Sequence, residues 1–260
     1  MKILLTNDDG YLSSGINCLF DVLKENNDIC LIGPVNEKSG FSQAFTVYGE
    51  NTVEKIKDKK YAFDGTPVDC VKYGMLKFGK FDLIISGINR GSNLGSDIYY
   101  SGTVGAVRHG YISGISGISV SKKTTSNKYK AFINEAKIIG KIVNIMEKNS
   151  EQNKMAVNDN FLININFPSE YDKIVGIKEC ALGKRIYIDN MNEKELLNNK
   201  AKITFMSNVI EESSEENSDV FAVKNNYISV TNIGIFNVNE KYITNLIIKN
   251  IKDKISNKII

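Results

Sequence analysis

Histidine is almost missing from this chain: His109 is the only one in 260 residues, so any mechanism that needs two imidazoles is excluded. Cysteine is sparse as well. The four present, Cys18, Cys30, Cys70 and Cys180, show no C-x-x-C pairing and fall in different segments, which argues against a zinc site or a disulfide framework and leaves them as reduced packing residues. No apolar run approaches the ~18 residues needed to span a bilayer. Lys2 is followed by only three apolar residues before Thr6, far short of a signal-peptide core. A cytoplasmic protein without membrane contact is expected. Neither sign of charge dominates, and a formal net charge of +3 is too small to argue for a nucleic-acid duplex as partner. The glycine-rich phosphate fingerprints are absent too. Neither G-x-G-x-x-G nor G-x-x-x-x-G-K-[ST] occurs, so a phosphate here needs another device.

What is present is an alternation of apolar runs and amphipathic stretches. Ile3 to Leu5 read as a buried strand, Ile16, Leu19, Phe20 and Leu23 recur at helical spacing, and "DICLIGP" returns as a second strand ending at Pro34. Residues 45–64 are expected as a hairpin or irregular excursion. A turn at Gly65 to Pro67 opens a helix in "GTPVDCVKYGMLKF", and "FDLIISGIN" follows as a strong strand. Thr103 to Tyr111 read as a helix, "GISGISVS" as a strand, and 129–146 as a helix with one apolar stripe. "FLININFP" is expected to be the last buried strand. This alternation predicts an α/β fold, a doubly wound, mostly parallel sheet over residues 1–168.

Beyond Pro168 the pattern changes. Residues 169–236 hold strand-like pieces such as "KRIYID" and "NYISVTNI", and the polar run "EESSEENSD" at 211–219 reads as a solvated loop. Asn237 and Glu240 have capping-box spacing before Tyr242, Ile243, Leu246, Ile247 and Ile251, which predicts a closing amphipathic helix. Residues 169–260 are therefore expected to form an extension of strand-like pieces and a terminal helix. Sheet edges and an apolar helix face need cover, from the core or from another subunit.

Three strand ends carry the chemistry: "TNDDG", "GPVNEKSGFSQ" and "SGINRGSNLGSDIYYSGT". In open α/β sheets, ligands bind outside the carboxyl ends of the strands. Adjacent carboxylates Asp8 and Asp9 repel each other and are poorly solvated there unless a cation or strong donors answer them. Short oxygen-bearing side chains among glycines suit a hard cation and let the backbone approach a small anion. A helix opening at Gly102 and Thr103 points unsatisfied amides and a positive dipole end at the same cleft, which suits phosphate. Arg90 and Arg108 could add charge, but the sequence assigns them no role. Nor do the residues alone choose between Asn89 and Asn93 as a ligand.

Assembled, "TNDDG" at 6–10, "GPVNEKSG" at 33–40, "GTPVDCV" at 65–71, "SGINRGSNLG" at 86–95 and "YSGTVGA" at 100–106 resemble, in order, the motifs of the SurE family. These are metal-dependent 5′/3′-nucleotidases, also called stationary-phase survival proteins. "LININFP" and "YISVTNI" are similar to its later segments. The resemblance implies a Rossmann-like core at 1–168 and, at 169–260, a C-terminal β-hairpin and helix extension used for oligomerisation, with elements exchanged between the subunits of a homodimer or homotetramer. It implies one divalent cation per subunit, Mg²⁺ or Mn²⁺, held by Asp8, Asp9, Ser39 and Asn89. It also implies a nucleoside monophosphate bound by Ser42, Asn93, Ser101, Gly102 and Thr103. Two departures stand out: Gln43 replaces the Asn the family usually carries, and His109 replaces a Glu. Asp8, Asn93 and Thr103 are the expected catalytic set, with a water attacking the phosphoryl group and Asp8 taking its proton; direct attack by Asp8 stays open. The rival reading is a non-catalytic nucleotide-binding regulatory module. A haloacid-dehalogenase-type phosphatase fits poorly, because it wants D-x-D-x-[TV] and these carboxylates are adjacent.

Overall fold

A computed structural model of the chain describes residues 1–151, 160–196 and 200–234, together with Ile248. The first strand, β1 (Lys2–Thr6), lies in the middle of a nine-stranded sheet. Its side chains sort by parity, as the pleat requires. Ile3 and Leu5 enter one apolar layer with helices α1 (Ser14–Leu23) and α4 (Ile133–Glu151), whereas Leu4 enters the other with α2 (Pro67–Phe78) and α3 (Gly102–Ile112). The same division holds in β5 (Leu83–Arg90): Leu83 and Ile85 face one layer and Ile84 the other. Helices on both faces explain why these strands are continuous apolar runs rather than alternating ones.

Strands β2 (Asp28–Pro34), β1, β5, β6 (Ser116–Lys122) and β7 (Leu162–Phe167) pair in parallel, with β1 between β2 and β5. The excursion at 45–64 is irregular at first and then becomes an antiparallel hairpin, β3 (Val53–Lys57) and β4 (Lys60–Phe63), with β4 extending the sheet beside β2. Helix α2 opens with a capping box, in which Thr66 accepts the Asp69 amide and Asp69 accepts the Thr66 amide, and with Pro67 in the first turn. The expected doubly wound, mostly parallel sheet is present.

The expectation that β7 is the last strand is corrected. All six residues of β7 are buried, and its outer edge is paired by β11 (Tyr227–Asn232), antiparallel to it, with β8 (Gly176–Cys180) beyond. A fully buried strand with an open ladder would leave its backbone groups unsatisfied. Position 168 thus lies between strands of one sheet. The run at 211–219 is corrected as well. It is not all loop: Ser218 caps helix α5 (Asp219–Lys224), accepting the Phe221 amide, and Asp219 is fully buried.

Between β8 and β11 the chain leaves the sheet as a separate antiparallel hairpin, β9 (Arg185–Leu196) and β10 (Lys200–Glu212). Every residue of β10 is exposed, with Phe205 at 75%. The predicted terminal helix at 237–260 lies outside the described residues apart from Ile248. Among the described residues no helix is long and apolar enough to cross a membrane.

Candidate functional site

The site forms where β1, β2 and β5 end and α3 begins. After Thr6 the strand stops, and Asn7 stabilises the turn by donating to the Gly10 carbonyl at 2.9 Å and to Ser13 Oγ at 2.7 Å. This releases Asp8 and Asp9 from strand alternation. The Asp8 carboxylate, 4% exposed, meets the first turn of α3. Its Oδ2 accepts the Thr103 amide at 3.0 Å and its Oδ1 accepts the Thr103 hydroxyl. Asp9 Oδ2 accepts the Arg90 amide at 2.9 Å, which ties the first strand end to the third. The second strand end joins them through the Lys38 amide, which donates to the Asp8 carbonyl at 2.7 Å.

Close approach here depends on two missing side chains. A Cβ on Gly102 would lie 3.0 Å from Asp8 Cβ and 3.1 Å from its Oδ2. One on Gly105 would lie 2.2 Å from the Ser42 carbonyl oxygen. Helix α3 can therefore press against both loops only with glycine at these positions.

Electrostatically the pair is uncomfortable. Burial pushes the Asp8 carboxyl above the usual carboxylate range, against the lowering effect of the two Thr103 bonds. Burial also pushes Asp9 up to about 6, with the Asp8 and Glu37 charges adding to it and the Arg90 amide opposing it. Among the described residues neither carboxylate has an ion-pair partner within 4.0 Å; the Arg90 guanidinium sits 3.9 Å from Glu37 instead.

A cavity of about 480 Å³ opens over this pair, lined by Asp8, Ser39, Asn89, Asn93 and Ser101 among others. Of the residues expected at the metal, Asp8, Ser39 and Asn89 line it, whereas Asp9 does not and bonds the Arg90 amide instead. Ser39 Oγ donates to Glu37 at 2.8 Å, and the Asn89 amide nitrogen donates to the Gly91 carbonyl at 3.0 Å. Both contacts spend donors and leave oxygens over. Among the described residues no group of three or more His, Cys, Asp or Glu side chains gathers at one point. The available donor set is two carboxylates, an amide oxygen and a hydroxyl oxygen, and among the described residues no side-chain cation forms an ion pair with either carboxylate. That chemistry fits a hard divalent ion.

The residues expected at the phosphate divide. Asn93 and Ser101 reach the cavity. Asn93 is fixed on all sides: its side chain donates to Ser121 Oγ at 2.8 Å, its amide to Asn166 at 2.8 Å, and its carbonyl accepts from Asn164 and Asn166. Ser101 is the N-cap of α3, accepting the Val104 amide at 3.1 Å. Gly102 and Thr103 meet Asp8 rather than the cavity wall. Ser42, at φ 53°, donates from Oγ to the Tyr99 carbonyl at 2.5 Å and so joins the second loop to the third. Arg90 lines the cavity, whereas Arg108 stays outside, its guanidinium beside the Tyr99 ring. His109 packs near Phe45, with ring centroids 6.4 Å apart.

Several participants escape a sequence reading. Asn164 and Asn166 carry a usable signal, since two asparagines alternate inside the apolar strand "FLININF". Asp97 and Tyr100 stand within a segment already singled out. Tyr187, Asp189 and Ser207 also line the cavity, yet they arrive from the hairpin, and no local pattern marks them.

The chain is similar to known proteins over most of its length. A family model described as Survival protein SurE matches residues 3–189. A Leptospira interrogans protein named 5′-nucleotidase SurE is 37% identical over 249 residues, covering 95% of this chain and 96% of its own length. One from Thermoanaerobacter sp. with the same name is 38% identical over 239 residues, covering 90% of this chain and 92% of its own. Among solved structures, the SurE protein from Aquifex aeolicus superposes with a TM-score of 0.72 at 35% identity, covering 98% of this chain and 99% of that one.

Proposed function

The chain belongs to the SurE family, and we propose that it is a cytoplasmic, divalent-metal-dependent 5′/3′-nucleotidase, hydrolysing nucleoside monophosphates to nucleoside and phosphate. The observation that carries this reading is the buried Asp8 carboxylate, held against the first turn of α3 with half-buried Asp9 next to it in the chain, neither of them in an ion pair among the described residues. A site built only to hold an anion gains nothing from two carboxylates that repel it. The non-catalytic module is disfavoured on that ground.

Phosphate monoester hydrolysis is slow enough that enzymes accelerate it by up to ~10²¹-fold, on the order of 28 kcal/mol. A helix dipole supplies at most about 2 kcal/mol of that. Asp8, Asp9, Ser39 and Asn89 would hold one Mg²⁺ or Mn²⁺ per subunit, which when bound supplies Lewis acidity at the phosphoryl oxygens and lowers the pKa of a water. The chain's own residues do the rest. Asp8, raised above the ordinary carboxylate range by burial, accepts the proton of the attacking water. Thr103 holds that carboxylate through both of its donors, which fixes its direction. Asn93, locked by its four bonds, and Ser101, already set as helix cap, receive the phosphoryl oxygens near the positive end of α3. Trapping a phosphorylated Asp8 would replace water attack by nucleophilic attack of the carboxylate.

Oligomerisation belongs to the same reading. The β9–β10 hairpin exposes Ile188, Met191, Ile203, Phe205, Met206 and Ile210, each with at least 42% of its surface open. That apolar arm is what a second subunit in a homodimer or homotetramer would cover. The activity is tested by phosphate release from adenosine 5′-monophosphate with Mg²⁺ or Mn²⁺, repeated with chelator. Release that the chelator abolishes is expected; binding of the nucleotide without turnover under all metals refutes the assignment in favour of the regulatory module.

A further inference from the structure

We propose that the root of the β9–β10 hairpin is the nucleoside-facing wall of the cavity, and that Tyr187 is its specificity-determining residue, the ring on which the base lies. The inference rests on the nucleotidase reading and adds the half of the substrate that the strand-end loops leave unaddressed. A cavity of about 480 Å³ falls in the range of sites for whole small molecules, roughly 300–1,000 Å³, and a phosphate alone leaves most of it unfilled. Its lining has two chemistries. Asn93 and Ser101 come from the segment that leads into α3, whereas Tyr187, Asp189 and Ser207 come from the hairpin, with Asp97 joined to them through Tyr187. The Asp97 carboxylate is taken by Arg185 and Tyr187, whereas Asp189, which accepts Ser207 Oγ at its Oδ1, has a second oxygen to accept hydrogen bonds from ribose hydroxyls or exocyclic amines. The substrate is thereby oriented, anion toward α3 and nucleoside toward the hairpin.

Tyr187 is held in place before any ligand arrives. Its hydroxyl donates to Asp97 Oδ1 at 2.7 Å, and the Arg185 guanidinium sits 5.5 Å from its ring centroid while pairing with the same Asp97. The hairpin root is in turn stitched to the loop that carries Asn93 and Ser101. Ser96 Oγ donates to the Arg185 carbonyl at 2.6 Å and accepts the Arg185 amide at 3.2 Å. Buried Asp219 accepts the Gly95 amide at 2.9 Å and the Gly183 amide at 2.8 Å, clamping loop and root together. A rigid aromatic face at a fixed offset from the phosphate end is what stacking on a base requires, because little side-chain entropy remains to be lost.

The test compares kcat/KM for adenosine 5′-monophosphate with that for glycerol phosphate, a monoester with no flat ring. In Tyr187→Ala the ratio of the two should fall about tenfold or more, through KM of the nucleotide, as expected for loss of base–aromatic stacking. Tyr187→Leu, which fills the space without a flat ring, should behave alike. Tyr187→Phe should keep the ratio within about threefold of the parent, since the ring remains. Equal losses on both substrates in Tyr187→Ala and Tyr187→Leu overturn the proposal. If the parent protein releases no phosphate from the nucleotide, it is the nucleotidase reading that fails. Calorimetric titration with adenosine then decides the wall separately: weaker binding in Tyr187→Ala supports it, and equal binding overturns it.

Discussion

Replacing Asp8 by Asn should abolish turnover and at the same time stabilise the metal-free protein. The side chain is nearly isosteric, and its surroundings accept the change. The new amide oxygen can take the Thr103 amide, and the new amide nitrogen can donate to the Thr103 hydroxyl, which now acts as acceptor. What disappears is a buried charge. For an acid whose folded pKa is raised, ionisation opposes folding at neutral pH. For neighbouring Asp9 the rise from 3.8 to about 6 is about 2 units, or about 3 kcal/mol at 1.36 kcal/mol per unit. Asp8 is shifted in the same direction by deeper burial. Removing its charge abolishes its own penalty and the part of the Asp9 penalty that it causes. The gain should appear as a melting temperature a few degrees higher in chelator. Turnover should fall by about 10³-fold or more, from loss of the proton acceptor and of a cation-holding oxygen together. Thermal melts in chelator and phosphate release with Mn²⁺ read the two effects. Near-parental turnover would show that Asp8 is neither ligand nor base. A melting temperature lowered by several degrees would show that the carboxylate is a structural anchor and the repulsion argument wrong.

Thr103→Val keeps the shape but leaves Asp8 Oδ1 without its hydroxyl donor; kcat/KM should fall by about 10²-fold, and an unchanged value would reduce Thr103 to a helix-opening residue. In chelator, the stability difference between the parent and Asp9→Asn should depend on pH. Because the folded pKa of Asp9 is raised to about 6, the parent gains stability as pH falls from about 6 toward 3.8 and levels off on either side. Chemical denaturation between pH 7 and 4.5 checks this, and a flat difference refutes the burial argument. Finally, light scattering of purified protein at micromolar concentration should show at least a dimer; a stable, active monomer of 29.0 kDa refutes the role given to the hairpin arm.

The parts of the fold readable from sequence were those fixed by short-range rules. Ile3–Leu5 and Leu83–Ile85 are apolar runs that only a strand buried on both faces explains, and Thr66, Pro67 and Asp69 declare the start of α2 before any tertiary contact forms. The loops holding Asp8, Ser39, Asn89, Asn93 and Ser101 were legible because small polar residues among glycines cluster at strand ends. What was hidden depends on partners distant in the chain. Nothing local in "NYISVTNI" says that it pairs with β7, and α5 starts inside a run whose charge suggests solvent, because Asp219 is neutralised by backbone amides from elsewhere. The contact of the Thr103 hydroxyl with a carboxylate 95 residues earlier is likewise announced by nothing local.

The placement of β11 also sets an order of events during synthesis. The β7 edge is left open when Phe167 has been made and is closed only by a strand beginning at Tyr227, so at ~5–20 residues per second it waits about 3–12 s on the ribosome. Asn164 and Asn166, which lock Asn93, lie on the strand that waits. The phosphate-end geometry is therefore among the last features a nascent chain can acquire, even though Asp8 and Asp9 emerge among the first residues. Between those moments an apolar strand edge is open to pairing with other nascent chains, so expression temperature and chaperone supply, rather than the stability of the finished protein, should govern how much of it is recovered folded.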